Sequence, residues 1–162
     1  AEYRQDHGTD LYRRGMYTFI KRTVPPPAML MFDASNRDQC EVGRLSTNTP
    51  LQALVMLNDP QVLEASRVLA QHLLANEPSV SAQIANAFQR IICRPAKTQE
   101  QQLLEDYFHQ EWDFFQTNPE AAQELLAVGE YPLAAQDDLA RAAALMQIIH
   151  TIYNLEEAIM KT

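Results

Sequence analysis

The sequence predicts an all-α protein, an irregular bundle of about six helices with a long N-terminal arm and loop. Only 4 glycines occur among 162 residues, and no Asn-Gly or Asp-Gly pair is present to form tight β-hairpins. From residue 50 onward the strong helix formers Ala, Leu, Gln and Glu dominate. A chain of this length can bury one core. We therefore predict a single helical domain over 1–162, with a basic and aromatic arm and loop in 1–48 and a helical body in 49–162.

The arm combines a periodic segment with an aperiodic one. Apolar residues at helical spacing predict a first helix over about 10–22, which ends before the triple proline that begins at Pro25. A short helical turn is expected over 28–32. Residues 33–48 are polar and without period, so they predict a long loop.

The stretch TNTPLQALVMLNDP predicts two consecutive helix starts. Thr49 suits an N-cap, Pro50 the first helical position, and Gln52 the place from which a capping box reaches back. Pro60 ends this helix and opens the next, with Asp59 as its cap.

Capping residues and prolines divide the rest of the chain into further helices. Two are predicted from about Pro60 to Ala75 and from Ser79 to Cys93, and a third begins at a capping box formed by Thr98 and Gln101. A short helix is predicted from Pro119 to Gly129, which is placed as its C-cap glycine. The last helix begins at Asp137 or Asp138 and runs to the end. In the first of these, the apolar positions are expected to be buried and the polar ones exposed. These sets are Val62, Ala65, Leu69 and Leu73 against Glu64, Arg67 and Gln71.

The last helix carries the widest apolar face. Its spacing of three and four residues runs through Leu145, Ile148, Ile152, Leu155 and Ile159. A face of that width predicts a continuous helix at the centre of the bundle.

The histidines have poor surroundings for catalysis. His109 has the best neighbourhood, because Glu105 precedes it by four residues on one helix face, but a helical metal site needs ligands from other helices. A structural or solvated role is the prediction for it. The Gly-rich phosphate loop, Gly-x-Ser-x-Gly and His-Glu-x-x-His are all absent from the sequence. A self-contained enzyme is therefore disfavoured, though a site completed by another domain stays open.

Charge is unevenly distributed. Residues 1–47 carry seven bases and six acids, net +1, whereas 48–162 carry six bases and fifteen acids, net −9. The overall charge of −8 argues against a nucleic-acid partner. We expect the two halves to attract each other; a ligand patch is the alternative.

The loop and its flanks form the one candidate binding site, for an anion or a partner. Its residues are Lys21, Arg22, Asp33, Arg37, Arg44, Thr47, Asn48 and Thr49. Cations here converge on a helix start, where backbone N–H groups favour a carboxylate, sulfate or phosphate. The same groups could instead tie the loop to the body, and that interpretation is favoured, because a long loop needs internal hydrogen bonds.

Cysteine usage and hydropathy add little about location. Cys40 and Cys93 could form a disulfide or remain two thiols, and neither belongs to a Cys-x-x-Cys motif. No cofactor is expected in this chain. No apolar run is long enough to span a bilayer.

One long motif resembles a known family. LYRRGMYTFIKRTVPPPAMLMFDASNRDQCEVGRLSTNTPLQALVMLNDP, together with the closing Asn-Leu-Glu-Glu at 154–157, is similar to the C-terminal part of a domain of unknown function, DUF1553. That family occurs in large secreted proteins of planctomycetes and related bacteria, often beside cytochrome-c-like modules. Gly43 and Ser46 stand where the family usually has arginines, which weakens an anion site inherited from it.

The resemblance implies a fragment of a longer, exported protein, periplasmic or extracellular, with haem on a separate module in some relatives. Our first hypothesis is a helical interaction or assembly module that contacts neighbouring domains. The second is part of an extracytoplasmic enzyme acting on polysaccharide, with a glycan or other anion as ligand. The third is an accessory to an attached cytochrome c module in electron transfer.

Overall fold

The computed structural model describes residues 4, 6–21, 23–35, 42–43, 47–133 and 138–160. The chain divides into two compact units, Ala1–Met56 and Leu57–Thr162, called here the N-terminal and C-terminal units. The described residues are mainly helical and contain no strand, only an isolated bridge between Lys21 and Val24. The all-α class is confirmed.

The N-terminal unit contains short helices. Two 3-10 helices, Gly8–Tyr12 and Gly15–Tyr17, are followed by α1, Pro27–Met31. Most of α2, Pro50–Asn58, completes the unit. The predicted turn after the triple proline is confirmed as α1.

The predicted first helix over 10–22 is wrong. The backbone turns extended at Arg13 and again at Thr18, which leaves only the two 3-10 helices. Met16 and Phe19, two apolar residues of the predicted stripe, are 71% and 84% exposed. An isolated helix of this length is marginal without a surface to pack on, so helical spacing alone does not form one here.

The C-terminal unit contains five longer helices and one short one. They are α3 (Pro60–Asn76), α4 (Val80–Ile92), α5 (Thr98–Thr117), α6 (Pro119–Leu126), α7 (Leu139–Tyr153) and α8 (Glu156–Ile159). With α2, the described chain has six helices longer than five residues, as predicted.

Local capping fixes where three of these helices begin. Each cap side chain accepts a hydrogen bond from a backbone N–H in the first turn: Asp59 from Gln61 at 2.8 Å, Ser79 from Ala82 at 3.2 Å, and Asp138 from Arg141 at 2.9 Å. These predicted helix starts are confirmed.

The predicted capping box of α5 is wrong by one residue. Glu100, not Gln101, reaches back, and its Oε2 accepts from the N–H of Lys97 at 2.7 Å. Gln101 instead donates to Glu105 Oε1 at 2.6 Å. A carboxylate is the stronger acceptor and complements the positive end of the helix dipole, which favours Glu100.

α7 lies at the centre of the C-terminal unit, as predicted. It contacts α3, α4, α5 and α6, and α8 to a smaller extent. Its buried residues are Ala142, Ala143, Ala144, Leu145, Met146, Ile148, Ile149, His150 and Ile152. The alanines let neighbouring helices approach closely, while the larger side chains fill the space between them.

The last helix is not continuous, contrary to the prediction. α7 ends at Tyr153, and the N–H of Asn154 donates to the carbonyls of both His150 and Thr151. Leu155 is extended (φ −68°, ψ 144°) and precedes α8. The apolar spacing therefore continues across a turn.

The predicted buried face of α3 is right at Leu73, which is 0% exposed, and wrong at the polar positions and at Ala65. Glu64 and Arg67 are 6% and 1% exposed, and Gln71 is buried too, whereas Ala65 is exposed. Distant backbone partners explain the burial of Glu64 and Arg67. Glu64 Oε2 accepts from the N–H groups of Glu130 and Tyr131, the latter at 2.7 Å.

Arg67 binds the same turn through a carbonyl group. Its Nη2 donates to the carbonyl of Tyr131 at 2.6 Å. Burying an unpaired carboxylate or guanidinium would be very unfavourable, but here Glu64 and Arg67 bind both polarities of one backbone segment. Two polar side chains thus join α3 to the turn that follows α6.

Gly129 is required where this turn meets α3. Its φ of +97° lies in a region that L side chains rarely adopt, and a Cβ there would lie 2.7 Å from both Cβ and Cγ of Glu64. The glycine marks the close approach of the turn to Glu64 rather than the end of α6, which stops at Leu126.

We predict that Gly129→Ala destabilises the protein by about 2 kcal/mol or more, because it adds backbone strain and displaces Glu64. For a chain of this size that lowers the melting temperature by roughly 5 °C, measured by calorimetry. Gly43→Ala is the matched control, because a Cβ at Gly43 meets nothing within 4 Å. Equal melting temperatures for the two variants would contradict the role of Gly129.

Candidate functional site

The candidate site begins where α1 ends. Phe32 follows the helix, and Asp33 has a positive φ of 54°, a left-handed conformation that aspartate tolerates better than most residues. The N–H of Asp33 donates to Leu30 O at 3.3 Å. This turn fixes the position of the Asp33 carboxylate.

Asp33 binds the far end of the loop. Its Oδ2 accepts from the N–H of Thr47 at 2.9 Å and from the Thr47 hydroxyl at 2.7 Å. The two residues are 14 positions apart in the chain. One carboxylate therefore closes the base of the loop by two hydrogen bonds to a single threonine.

Gln52 completes the closure from α2. Its Nε2 donates to Met31 O at 2.8 Å and to Thr47 Oγ1 at 3.1 Å. Its Oε1 accepts from the N–H of Thr49 at 3.1 Å, and the Gln52 N–H contacts Thr49 Oγ1 at 3.4 Å. The predicted capping box is confirmed, and the same amide also reaches the end of α1. The side chain is 2% exposed.

The electrostatics of this network favour a structural role. The hydroxyl and backbone N–H of Thr47 lower the pKa of Asp33, and Gln52 lowers it further. A carboxylate with a lowered pKa is a weak base, and both hydrogen bonds from Thr47 go to one of its oxygens. The arrangement suits holding a loop in place better than accepting a proton from a substrate.

The structure brings together some of the predicted site residues. Asp33 and Thr47 are in contact, and Thr49 joins them through Gln52. Lys21 is exposed, and its carbonyl accepts a hydrogen bond from the N–H of Val24 at 3.0 Å. Asn48 is exposed as well.

Three predicted cations, Arg22, Arg37 and Arg44, lie outside the described residues. The anion or partner site therefore stays a prediction. Sequence reasoning assigned Gln52 only to the cap. The polar side chain within an apolar run, LQAL, was the signal for its wider role.

A second polar cluster, in the C-terminal unit, surrounds Arg94. Its guanidinium makes paired contacts with both Glu100 and Glu157, with four N–O distances of 2.8 Å. The Arg94 Cζ also lies 4.9 Å from the centre of the Phe88 ring. Arginine suits such planar, two-sided pairing. The cluster joins α8 to the start of α5.

The charges in this cluster shift one another's pKa values. Arg94, with help from the N–H of Lys97, lowers the pKa of Glu100 to about 2. Arg94 also lowers the pKa of Glu157 and has its own pKa raised by both carboxylates. All three groups are thus held in their charged forms. The cluster has the character of a structural link.

The histidines occupy separate environments. His109 is exposed and its ring lies 5.6 Å from that of Phe108. Glu105, four residues earlier, has its pKa lowered chiefly by Gln101 and Ser81, with a smaller effect from His109. His72 is exposed and His150 is buried in α7. Within the described residues no group of three or more His, Cys, Asp or Glu side chains could hold a metal ion.

Two further predictions concern the membrane and the cysteines. Across the part of the chain that is described, no helix combines the length and apolarity needed to cross a bilayer. Cys93 is exposed at the left-handed residue that ends α4, φ +63°. Cys40 lies outside the described residues, so the disulfide stays open.

Comparison with known families decides the relationship. Residues 1–108 of the 162 match the family PSD1, described as "Protein of unknown function (DUF1553)". The chain belongs to this family. The DUF1553 match includes the whole Asp33–Thr47–Gln52 network and extends into α5. No curated protein and no solved structure matches the chain.

We predict that Gln52→Leu opens the base of the loop. It removes the amide contacts to Met31, Thr47 and Thr49, at a cost of about 1–3 kcal/mol. Hydrogen exchange at the Thr47 and Thr49 amides should accelerate roughly tenfold or more, measured by NMR.

Gln89→Leu, at an exposed position of α4, provides the matched control. The Ala82 amide, which caps α4, serves as an internal reference in both variants. Unchanged exchange at Thr47 in Gln52→Leu would show that Asp33 closes the loop alone.

Arg94→Gln should raise the pKa of Glu100 from about 2 toward its ordinary 4.5, read from side-chain NMR signals during a pH titration. A carboxylate with a lowered pKa stabilises the folded state above its unfolded pKa, and this stabilisation disappears as pH falls through about 2. The variant should therefore lose less stability than the wild type between pH 4.5 and 2.

The control is Arg90→Gln, which removes a nearby exposed arginine that bonds only to Asn86 among the described contacts. If Glu100 titrates normally in the wild type, the paired geometry around Arg94 is not maintained in solution.

Proposed function

We propose that this DUF1553 chain is an interaction module through which neighbouring domains of a large exported protein are joined. The observation that carries the proposal is the exposed apolar surface of the N-terminal unit. Family resemblance to domains of secreted proteins supports a periplasmic or extracellular location, with a cytochrome-c-like module as one candidate neighbour.

The N-terminal unit buries few of its described residues. Pro26 and Gln52 are the buried ones, and neither is a large apolar side chain. Aromatic and aliphatic residues remain exposed instead: Tyr12, Met16, Tyr17, Phe19, Leu30, Phe32, Val42, Leu51 and Leu54. Ordering a segment of this length costs conformational entropy that apolar burial usually offsets. A partner surface would supply that burial.

Exposed apolar groups of this number favour a protein contact. Isolated exposed apolar residues are ordinary, but clustered ones mark interaction sites. Met16, Tyr17 and Phe19 lie within four consecutive residues and all three are exposed. Aromatic residues and methionine are also the types enriched at the centres of protein interfaces.

We expect Met16 to be protected in the complete parent protein and accessible in this chain alone. Hydrogen peroxide oxidation at submicromolar protein concentration, followed by mass spectrometry, measures the rate at each methionine. In the 162-residue chain Met16, 71% exposed, should oxidise rapidly, and within the parent roughly tenfold more slowly. Neighbouring domains would exclude the oxidant.

Met146 is the internal control, since it is 0% exposed and should react slowly in both proteins. Equal rates at Met16 in the two proteins would overturn the proposed role of this surface.

A further inference from the structure

We propose that the exposed segment 12–21 also binds a second copy of this chain, along one face of its α5. The inference rests on the proposed function, which makes the segment a contact surface; where neighbouring domains do not cover it, that surface is open to a second copy. Two features support it: the segment is cationic and apolar, and α5 carries an acidic and apolar stripe.

The segment, Tyr12–Lys21, contains no acidic residue. Arg13, Arg14 and Lys21 supply its positive charge, and all three are exposed. Arg13 already pairs with Asp10 at 2.8 Å in an exposed contact. Arg14 and Lys21 are therefore the cations that we assign to the contact. The exposed Met16, Tyr17 and Phe19 lie between them, and the exposed Tyr12 precedes Arg14 by two residues.

The stripe on α5 has the complementary character. Its members are Leu103, Asp106, Gln110, Asp113 and Phe114, which are all exposed. At 100° per residue these positions fall within about 100° of arc on one helix face. Leu103 and Phe114 are 70% and 51% exposed, and the two aspartates lie between them. The unit that carries this stripe has a net charge of −9.

The lengths of the two surfaces agree. Leu103 and Phe114 are eleven residues apart on a helix, roughly 16 Å along its axis. Tyr12 and Phe19 are seven residues apart, which spans roughly 14 Å in 3-10 geometry and 23 Å when extended. The apolar ends of the segment can therefore meet the apolar ends of the stripe, with Arg14 between them and Lys21 two residues beyond Phe19.

We assign the contact to a second copy because the segment and the α5 stripe are complementary in charge and in length. Each molecule carries both complementary surfaces, and the proposed dimer is two-fold, with the contact made twice. Six large apolar side chains in each contact, with on the order of 100 Å² apiece to bury, give about 1,200 Å² per dimer. That is the lower end of specific interfaces, so the expected dissociation constant is micromolar, and screening by salt should weaken it.

Sedimentation equilibrium of the 162-residue chain tests the proposal. The mass should rise from 18.4 kDa toward twice that value as concentration increases through the micromolar range. Asp106→Lys with Asp113→Lys should weaken association at least tenfold. Adding Arg14→Glu and Lys21→Glu to that variant should restore it to within about threefold, because the charges are exchanged rather than removed.

The matched control is Glu120→Lys with Glu124→Lys, the same charge change at exposed positions of α6. It should leave the dimer intact. Circular dichroism confirms that each variant is folded. A mass of 18.4 kDa at every concentration overturns the proposal, as does a control that weakens association equally or a folded four-site variant that does not recover. Protection of Met16 in the dilute parent is measured separately, so self-association can fail while the proposed function stands.

Discussion

Removal of the α7 surface from water is the constraint on which the C-terminal unit depends. This helix is buried along most of its length and touches the other four longer helices of the C-terminal unit as well as α8, so each of the four must present an apolar side to it. Hydrophobic burial is non-directional and does not by itself choose one arrangement of the four. Capping residues determine where individual helices begin, and hydrogen bonds from polar side chains fix the segments that connect the helices. The family match covers α3 and α4 completely and ends at residue 108, within α5.

Polar side-chain contacts join the helices of the C-terminal unit to the segments that connect or follow them. Glu64 and Arg67 bind the turn between α6 and α7, and Arg94 binds α8 after α7 has ended. Arg67 still has Nε and Nη1 without a hydrogen-bond partner in the described part of the chain, so its burial is only partly compensated. Because desolvation of a buried charge offsets much of what its contacts contribute, such groups can select one conformation without adding net stability. The turn after α6 fits that description.

Local patterns predicted the helices well and their surroundings less well. The capping side chains accept hydrogen bonds from backbone N–H groups two or three residues later, as Thr49, Asp59 and Asp138 do. Their roles can therefore be predicted from a short stretch of sequence. The buried face of α3 depends on Glu64 meeting a turn 66 positions away, which no periodicity reveals. Residues 10–21 have helical spacing but form no α-helix, because apolar groups such as Met16 and Phe19 are exposed rather than packed. At the candidate site, the sequence identified Asp33, Thr47 and Thr49, but whether three arginines join them is a matter of tertiary position.

The closure between Asp33 and Thr47 has a consequence for how this chain tolerates change in length. The intervening segment begins at Asp33, which the turn after α1 holds, and ends at Thr47, which both Asp33 and Gln52 bind. The entropy of closing such a segment grows only logarithmically, by about 0.6 kcal/mol for each doubling of its length. Insertions between these two anchors would therefore be inexpensive, and the position is suited to carrying an additional peptide or tag without disturbing either helix.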